Sequence, residues 1–222
     1  MMLNLFSIFD FSTNLIMSNW ISSVICLLMI PQIYWLFKSR IIFFMNNFFF
    51  MLFMEFYIIM KLKFNINNMI YFIVLFIFIL INNFMGLYSY IFTSTSHLIF
   101  SMVFSLSMWM GIVIFGWVKN TEFMLIHLVP QGTPFFLMFF MVLIELLSNL
   151  IRPMTLAVRL TANMIAGHLL LTLLASFIPD EFYLYLIILI LQLMLLLLEV
   201  AVSFIQSYVF IILMILYLKE TN

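Results

Sequence analysis

The chain consists of long apolar runs that are separated by short polar or charged segments. Candidate membrane-spanning runs lie at 15–37, 68–87, 97–118, 135–178 and 181–218. A bilayer core about 30 Å thick needs about 20 apolar helical residues. The strict alternation that a transmembrane β-barrel requires is not visible in any of these runs. The pattern therefore predicts an all-α integral membrane protein with five membrane-crossing helices in a single membrane domain.

The apolar run at 41–60 differs from the other runs. It contains Asn46, Asn47 and Glu55, and basic residues flank it on both sides. A helix of this kind is compatible with lying in the membrane interface or with crossing the bilayer. We predict an interfacial helix, because a crossing here would divide the flanking basic residues between the two sides of the membrane.

The last two runs are too long for upright membrane helices. The run at 135–178 is interrupted only by Pro153 and Gly167, and the run at 181–218 contains neither Gly nor Pro. Without a turn residue, 181–218 is one helix of about 57 Å, nearly twice the hydrocarbon thickness. Its ends are apolar, so both helices are expected to be strongly tilted and to form a hairpin within the membrane.

The loop charges predict the orientation. With an interfacial 41–60 and the N-terminus outside, every flanking basic residue falls on the inner side: Lys38, Arg40, Lys61, Lys63, Lys119 and Lys219. This is the positive-inside distribution. The C-terminus is then expected on the inner side of the membrane.

Composition supports a membrane protein and excludes several other classes. Hydrophobic residues make up 68% of the chain and charged residues 7%, whereas soluble domains carry about 25% charged residues. The zero net charge argues against a nucleic-acid partner. No nucleotide-binding loop or metal-spaced cluster is present, and the three histidines are too scattered to ligate a haem. No cofactor is expected.

Four charged residues lie inside the predicted tilted hairpin, away from the turn at 179–181. These residues are Glu145, Arg152, Arg159 and Glu199. An arginine at the bilayer centre costs about 2.5–3.5 kcal/mol on insertion scales, so it normally faces a protein interior or a water-filled space. These residues are therefore candidates for function.

Helical spacing places Arg159 on a polar and small-residue face. At 100° per residue, Thr155, Ala162, Asn163 and Ala166 lie within about 60° of it. Such a stripe suggests the close approach of another helix. His168 points to the opposite side of the same helix.

The final predicted helix carries a second polar line. Gln192, Glu199 and Gln206 recur every seven residues, which gives one narrow seam on an apolar rod. Two polar seams on neighbouring tilted helices can line water-accessible paths through the membrane.

Simpler roles remain open for several of these residues. One simpler role for Arg152 is to neutralise an acid of its own chain, and Glu145 is the candidate partner. In the simpler interpretation, Glu199 is a protonated structural residue. Gln192 and Gln206 then form hydrogen bonds between helices.

The chemistry of arginine favours a fixed-cation role for Arg159. A guanidinium does not deprotonate in proteins, so it cannot carry protons. It attracts carboxylates and favours their ionised form, and it repels protons. If a neighbouring membrane ring presents carboxylates in turn, Arg159 would make each one release its proton. Glu145, His168 and Glu199 are then candidate proton relays.

Four motifs carry a resemblance to a known family. The segments "RLTANMIAGHLLLTLL" (159–174), "HLVPQGTP" (127–134), "NNFMGLYSYIFTSTSH" (82–97) and "IQSYVF" (205–210) resemble the subunit a family of rotary F-type ATP synthases, in its mitochondrial form. The likeness extends over essentially the whole chain. It implies a proton-translocating stator subunit that is not itself catalytic and that works against a ring of c subunits beside other stator subunits.

The resemblance also implies roles for individual residues. It implies that Arg159 is the essential stator arginine, that Asn163 lies one turn beyond it, and that Gln206 lies beside it. It implies that His168 and Glu199 share the intermembrane-space half-channel and that Glu145 belongs to the matrix half-channel. The location implied is the mitochondrial inner membrane, with the N-terminus on the intermembrane-space side and the C-terminus on the matrix side.

Two alternatives predict different features. A self-contained ion transporter or a proton-pumping respiratory subunit would hold a complete relay and often internal repeats, and the sequence contains neither. A purely structural membrane anchor would leave Arg159 without a role.

Overall fold

All regular structure in the described part of the chain is helical. The computed structural model describes residues 6, 9–12, 18–30, 37, 39–60, 68–88, 91–129, 132, 134–178 and 181–221. Its α-helices are α1 (Ile21–Ile25), α2 (Arg40–Met60), α3 (Asn68–Gly86), α4 (Leu98–Lys119), α5 (Thr121–His127), α6 (Phe135–Ser176) and α7 (Phe182–Glu220). Five of the described helices, α2, α3, α4, α6 and α7, are long and apolar enough to cross a membrane. The prediction of an all-α membrane protein is confirmed.

The two C-terminal helices are continuous over their whole length. Helix α6 has 42 residues and α7 has 39 residues, which correspond to about 63 and 58 Å at 1.5 Å per residue. Pro153 lies buried inside α6 without ending the helix. The two helices pack against each other. Because both exceed the thickness of a bilayer core, the strong tilt expected from the sequence stays our prediction.

The first predicted span differs from a continuous helix where it is described. Within residues 18–30, two 3₁₀ turns, Ser18–Trp20 and Cys26–Met29, flank the five-residue α1, and Ile30 is extended. The Ser22 hydroxyl donates to the carbonyl of Phe92, and Ser23 donates to that of Trp20. The rest of the predicted span, 15–17 and 31–36, lies outside the described residues.

Helix α2 covers the run for which an interfacial position is predicted. It is long and apolar enough to cross a membrane by length and composition. Leu52, Phe56 and Met60 are buried against α3 and α7. Glu55 accepts a hydrogen bond of 3.2 Å from the Tyr208 hydroxyl of α7. The interfacial position of α2 stays a prediction.

The hydrophobic core lies where α2, α3 and α7 meet. Its fully buried members include Phe56, Met69, Ile211, Met214 and Ile215. Helix α6 packs chiefly on α4 and on α7. The first turns of α6 and α7 carry exposed aromatic residues such as Phe136 and Tyr183. The apolar surface left uncovered is that of a protein surrounded by lipid or by other membrane subunits.

Candidate functional site

Helix α6 buries one face and leaves the opposite face uncovered. Leu156, Leu160 and Met164 are buried against the neighbouring helices. The stripe of polar and small residues predicted around Arg159 lies on the other side, where Thr155, Arg159, Ala162 and Ala166 are exposed and Asn163 is half-buried. We refer to these five residues as the arginine face. Nothing in the described part of this chain covers it, so its short side chains leave space for close contact with another molecule.

Arg159 lies on the arginine face without an ionic partner among the described residues. Within the described residues, its guanidinium forms no ion pair and no hydrogen bond to another side chain. Gln206, which the resemblance puts beside it, is half-buried on α7 and is not hydrogen-bonded to it. The charge of Arg159 is thus available to an external carboxylate.

Arg152 contrasts with Arg159 because it has two acidic partners. Its Nη1 atom lies 2.6 Å from Oε2 of Glu220 at the end of α7, and its Nη2 atom lies 3.8 Å from Oε1 of Glu145 on α6. The guanidinium also lies 5.3 Å from the ring centroid of Tyr217. This agrees with the alternative left open by the sequence, in which Arg152 neutralises an acid of its own chain. The sequence did not indicate Glu220 as a partner of Arg152.

Glu199 is buried where α7 crosses α6. Its side chain is 7% exposed and packs against Gly167, at which an added Cβ would lie 2.7 Å from the carboxyl oxygen Oε1. Neither carboxyl oxygen has a hydrogen-bond partner among the described residues. The carboxyl group therefore lies next to the residue that precedes His168.

His168 points into the interior at the same level of the fold. The backbone of Gly86 at the end of α3 lies near its ring, and Phe9 packs edge-on against that ring at 6.3 Å between centroids. Its Nε2 atom is buried without a partner in the described part of the chain. Glu199 and His168 thus flank Gly167 with three polar atoms unsatisfied. Unpaired buried polar atoms are costly, and ordered water is their usual partner.

A set of buried polar residues that sequence reasoning missed lies at the end of α3 and in the segment that precedes α4. It comprises Asn82, Asn83, Thr93, Ser94, Thr95 and Ser96, and we call it the polar cluster. The Ser94 hydroxyl donates to Asn82 Oδ1 at 3.3 Å, and the Thr93 hydroxyl donates to that of Ser96 at 3.0 Å. Asn83 Oδ1 and Thr95 Oγ1 have no partner within the described residues. The available signal was the run of polar letters at 82–83 and 93–96.

Two of the remaining predicted groups lie apart from this interior region. Glu145 is half-buried on α6 beside Arg152, and Gln192 is half-buried on α7. His97 directly follows the polar cluster; its ring packs against those of Trp20 and Phe92, at 5.4 and 5.1 Å, and its Nε2 atom is buried without a partner among the described residues. The described ranges contain no group of His, Cys, Asp or Glu that could hold a metal ion.

The order of these groups along α6 separates three chemical environments. The ion pairs of Arg152 lie toward the N-terminal half, the unpaired Arg159 follows two turns later, and the pocket of His168 and Glu199 comes after it. A fixed cation between two sets of titratable groups divides one proton path into two.

Comparison with known proteins matches this arrangement to one family. The ATP synthase A chain family matches residues 15–219. ATP synthase subunit a of Drosophila yakuba is 53% identical over 224 residues and that of Drosophila melanogaster is 52% identical, with complete coverage of both chains in each case. ATP synthase subunit a of Locusta migratoria is 52% identical over 223 residues, which cover 99% of each chain.

These relatives confirm the resemblance drawn from the four sequence motifs, and they do not favour a self-contained transporter. The three relatives named above are insect proteins, and together with the apolar helices they indicate a multi-pass protein of the mitochondrial inner membrane with partners in the ATP synthase membrane sector. The chain belongs to the ATP synthase A chain family, and it is a proton-translocating stator subunit of the membrane sector rather than a catalytic subunit.

Proposed function

We propose that the arginine face is the surface on which this stator subunit meets a rotating ring of c subunits. The observation that carries the proposal is that Arg159 is exposed and unpaired, while Arg152, two turns away on the same helix, is paired twice. An intramembrane arginine without a partner of its own chain needs one from elsewhere. A carboxylate on a neighbouring helix supplies it.

The small residues of the arginine face support a close and mobile contact. Ala162 and Ala166 leave room for a helix backbone to approach, as small residues do at membrane helix interfaces. They offer no side-chain hydrogen bonds that would hold the neighbour in one position. Each ring carboxylate would therefore be attracted to Arg159, release its proton there and pass on.

The groups on either side of Arg159 provide the two half-channels. His168 and Glu199 form the relay on the intermembrane-space side, where their unsatisfied atoms and the polar cluster can bind water. Glu145 belongs to the matrix half-channel, and Asn163 and Gln206 line the approach to Arg159. A cavity of about 300 Å³ beside Arg152 and Glu220 gives the matrix side space for water.

The orientation follows from the same assignment. The N-terminus faces the intermembrane space and the C-terminus faces the matrix, so the basic loops lie on the matrix side. Protons enter near His168 and Glu199, ride the ring around on its carboxylates, and leave near Glu145. Other stator subunits hold this chain against the ring.

Substitution of Arg159 in the assembled complex tests the proposal. Arg159→Ala should abolish proton-driven ATP synthesis, because ring carboxylates would no longer release their protons at the boundary. Val158→Ala, at an exposed position of the same helix that does not belong to the arginine face, is the matched control and should retain most of the synthesis. Full coupled synthesis by an assembled Arg159→Ala variant would refute the role.

A further inference from the structure

Arg152 is the centre of an ion-pair cluster that links two distant parts of the chain. Its guanidinium bridges Glu145 on α6 and Glu220 at the end of α7, at 3.8 and 2.6 Å. The three side chains are 27–45% exposed. Two carboxylates share one cation, so the cluster carries one net negative charge. Arg152 lies on the same helix as Arg159, which has no ion-pair partner among the described residues.

Spacing along α6 decides which acid could reach Arg159. Glu145, Arg152 and Arg159 follow one another at intervals of seven residues, so they project to nearly the same side of the helix, about 10 Å apart at each step. Glu145 lies about 21 Å from Arg159 along the axis and cannot pair with it. Glu220 is not bound by this spacing, because it comes from the other helix.

Tyr217 shows that Glu220 and both arginines share one neighbourhood. This residue lies one turn before Glu220 on α7, and its ring is in contact with the guanidinium of Arg152. The Tyr217 hydroxyl lies within electrostatic reach of Arg152, Glu220 and Arg159. A change of side-chain rotamer at Glu220 would release its carboxylate from Arg152.

We propose that Arg152 is a positioning residue that binds Glu220 and thereby keeps this own-chain carboxylate from pairing with Arg159. The second partner, Glu145, holds Arg152 at this position on α6. Arg159 then stays available to carboxylates of the ring, which is why this inference rests on the function proposed above. A carboxylate of the same chain would otherwise compete with every ring carboxylate for Arg159. Because it is tethered nearby, its effective concentration at Arg159 would be high.

Substitutions that separate charge from packing test the proposal in the assembled ATP synthase. Arg152→Met keeps a long side chain but removes the charge. Loss of one partner of an ion pair leaves the other charge uncompensated, so Glu220 would then pair with Arg159. We expect proton-driven ATP synthesis to fall by about tenfold. Arg152→Lys should keep most of the synthesis. Equal loss in both variants would overturn the charge-based role.

A second substitution distinguishes competition from simple structural support. Addition of Glu220→Gln to Arg152→Met should restore synthesis to within about twofold of the unmodified complex, because the competing carboxylate is then gone. Addition of Glu55→Gln, which removes a carboxylate bound to Tyr208 on the other side of α7, should restore nothing. Equal failure of both double variants would overturn the proposal.

Two further variants keep the test decisive. If Arg152→Met does not assemble, Arg152→Gln with and without Glu220→Gln gives the same comparison with a smaller polar side chain. Arg159→Ala separates this proposal from the proposed function. If Arg159→Ala abolishes synthesis while Arg152→Met leaves it unchanged, the role proposed for Arg152 is overturned. The function proposed for Arg159 is not affected by that result.

Discussion

The carboxyl group of Glu199 on α7 occupies the space that the missing side chain of Gly167 leaves on α6. An added Cβ at Gly167 would lie 2.7 Å from Oε1 and 3.0 Å from Cδ of this carboxyl group. Glu199 is nearly fully buried, so it has little room to move aside. The glycine thus fixes how closely the acid approaches the helix that carries His168.

Gly167→Ala should displace Glu199 and lower proton flux through the assembled complex. Overpacking of this kind costs about 1–3 kcal/mol, and we expect it to appear as lower flux and as earlier thermal dissociation. Gly111→Ala is the matched control, because an added Cβ there meets nothing within 4 Å. If the two variants behave alike in flux and in thermal dissociation, the contact between Gly167 and Glu199 has no functional weight.

Exchange of Glu199 and His168 should retain more proton flux than Glu199→Leu. The exchange keeps one acid and one imidazole on either side of Gly167, whereas leucine removes a titratable group. Flux is measured as proton uptake by vesicles that contain the complex. An equal loss in the exchanged pair and in Glu199→Leu would contradict a shared relay.

Thr95→Val should lower proton flux without affecting assembly. Thr95 is fully buried and its hydroxyl has no partner among the described residues, so its natural partner is water near the proposed entry path. Thr161→Val is the control, since that hydroxyl is equally hidden but bonds back to the carbonyls of Ala157 and Val158 within α6. Retention of full flux in an assembled Thr95→Val complex would argue against a water path through the polar cluster.

The orientation can be tested with single cysteines. Cys26→Ser removes the one native cysteine, after which Asp10→Cys and Lys219→Cys each provide a single exposed thiol. A membrane-impermeant thiol reagent added from the intermembrane-space side should label position 10, and position 219 only after the inner membrane is opened. Labelling of position 219 in intact inner membranes would reverse the proposed topology.

The long helices were predictable because their signals are local. The absence of Gly and Pro from 181–218 predicts one uninterrupted helix, and α7 begins and ends within two residues of that run. Helix α6 likewise passes through Pro153 where the apolar pattern continues. Residues 18–30 of the predicted span 15–37 do not form one continuous helix, and their contacts with the segment at 91–97 join positions that no local pattern relates.

The sequence predicts those parts of the site that lie on one helix, and it does not predict contacts between helices. The 100° spacing around Arg159 predicts which residues share the arginine face, and it does not determine whether that face is covered; the described part of the chain leaves most of it exposed. The pairing of Arg152 with Glu220 joins residues 68 positions apart, and no periodicity reveals such a contact. The burial of Asn82 and Thr95 likewise depends on how α3, α6 and the intervening loop meet in three dimensions.

The continuity of α6 has a mechanical consequence for the whole subunit. Because no break separates Glu145 from His168, about 35 Å of helix joins the proposed exit to the proposed entry. A continuous helix transmits rotation and translation along its length, so neither the proposed exit nor the proposed entry can be realigned without the other. Insertion of a single residue near 156 would turn everything beyond it by about 100°, and both aqueous routes would then be out of register with the rotor.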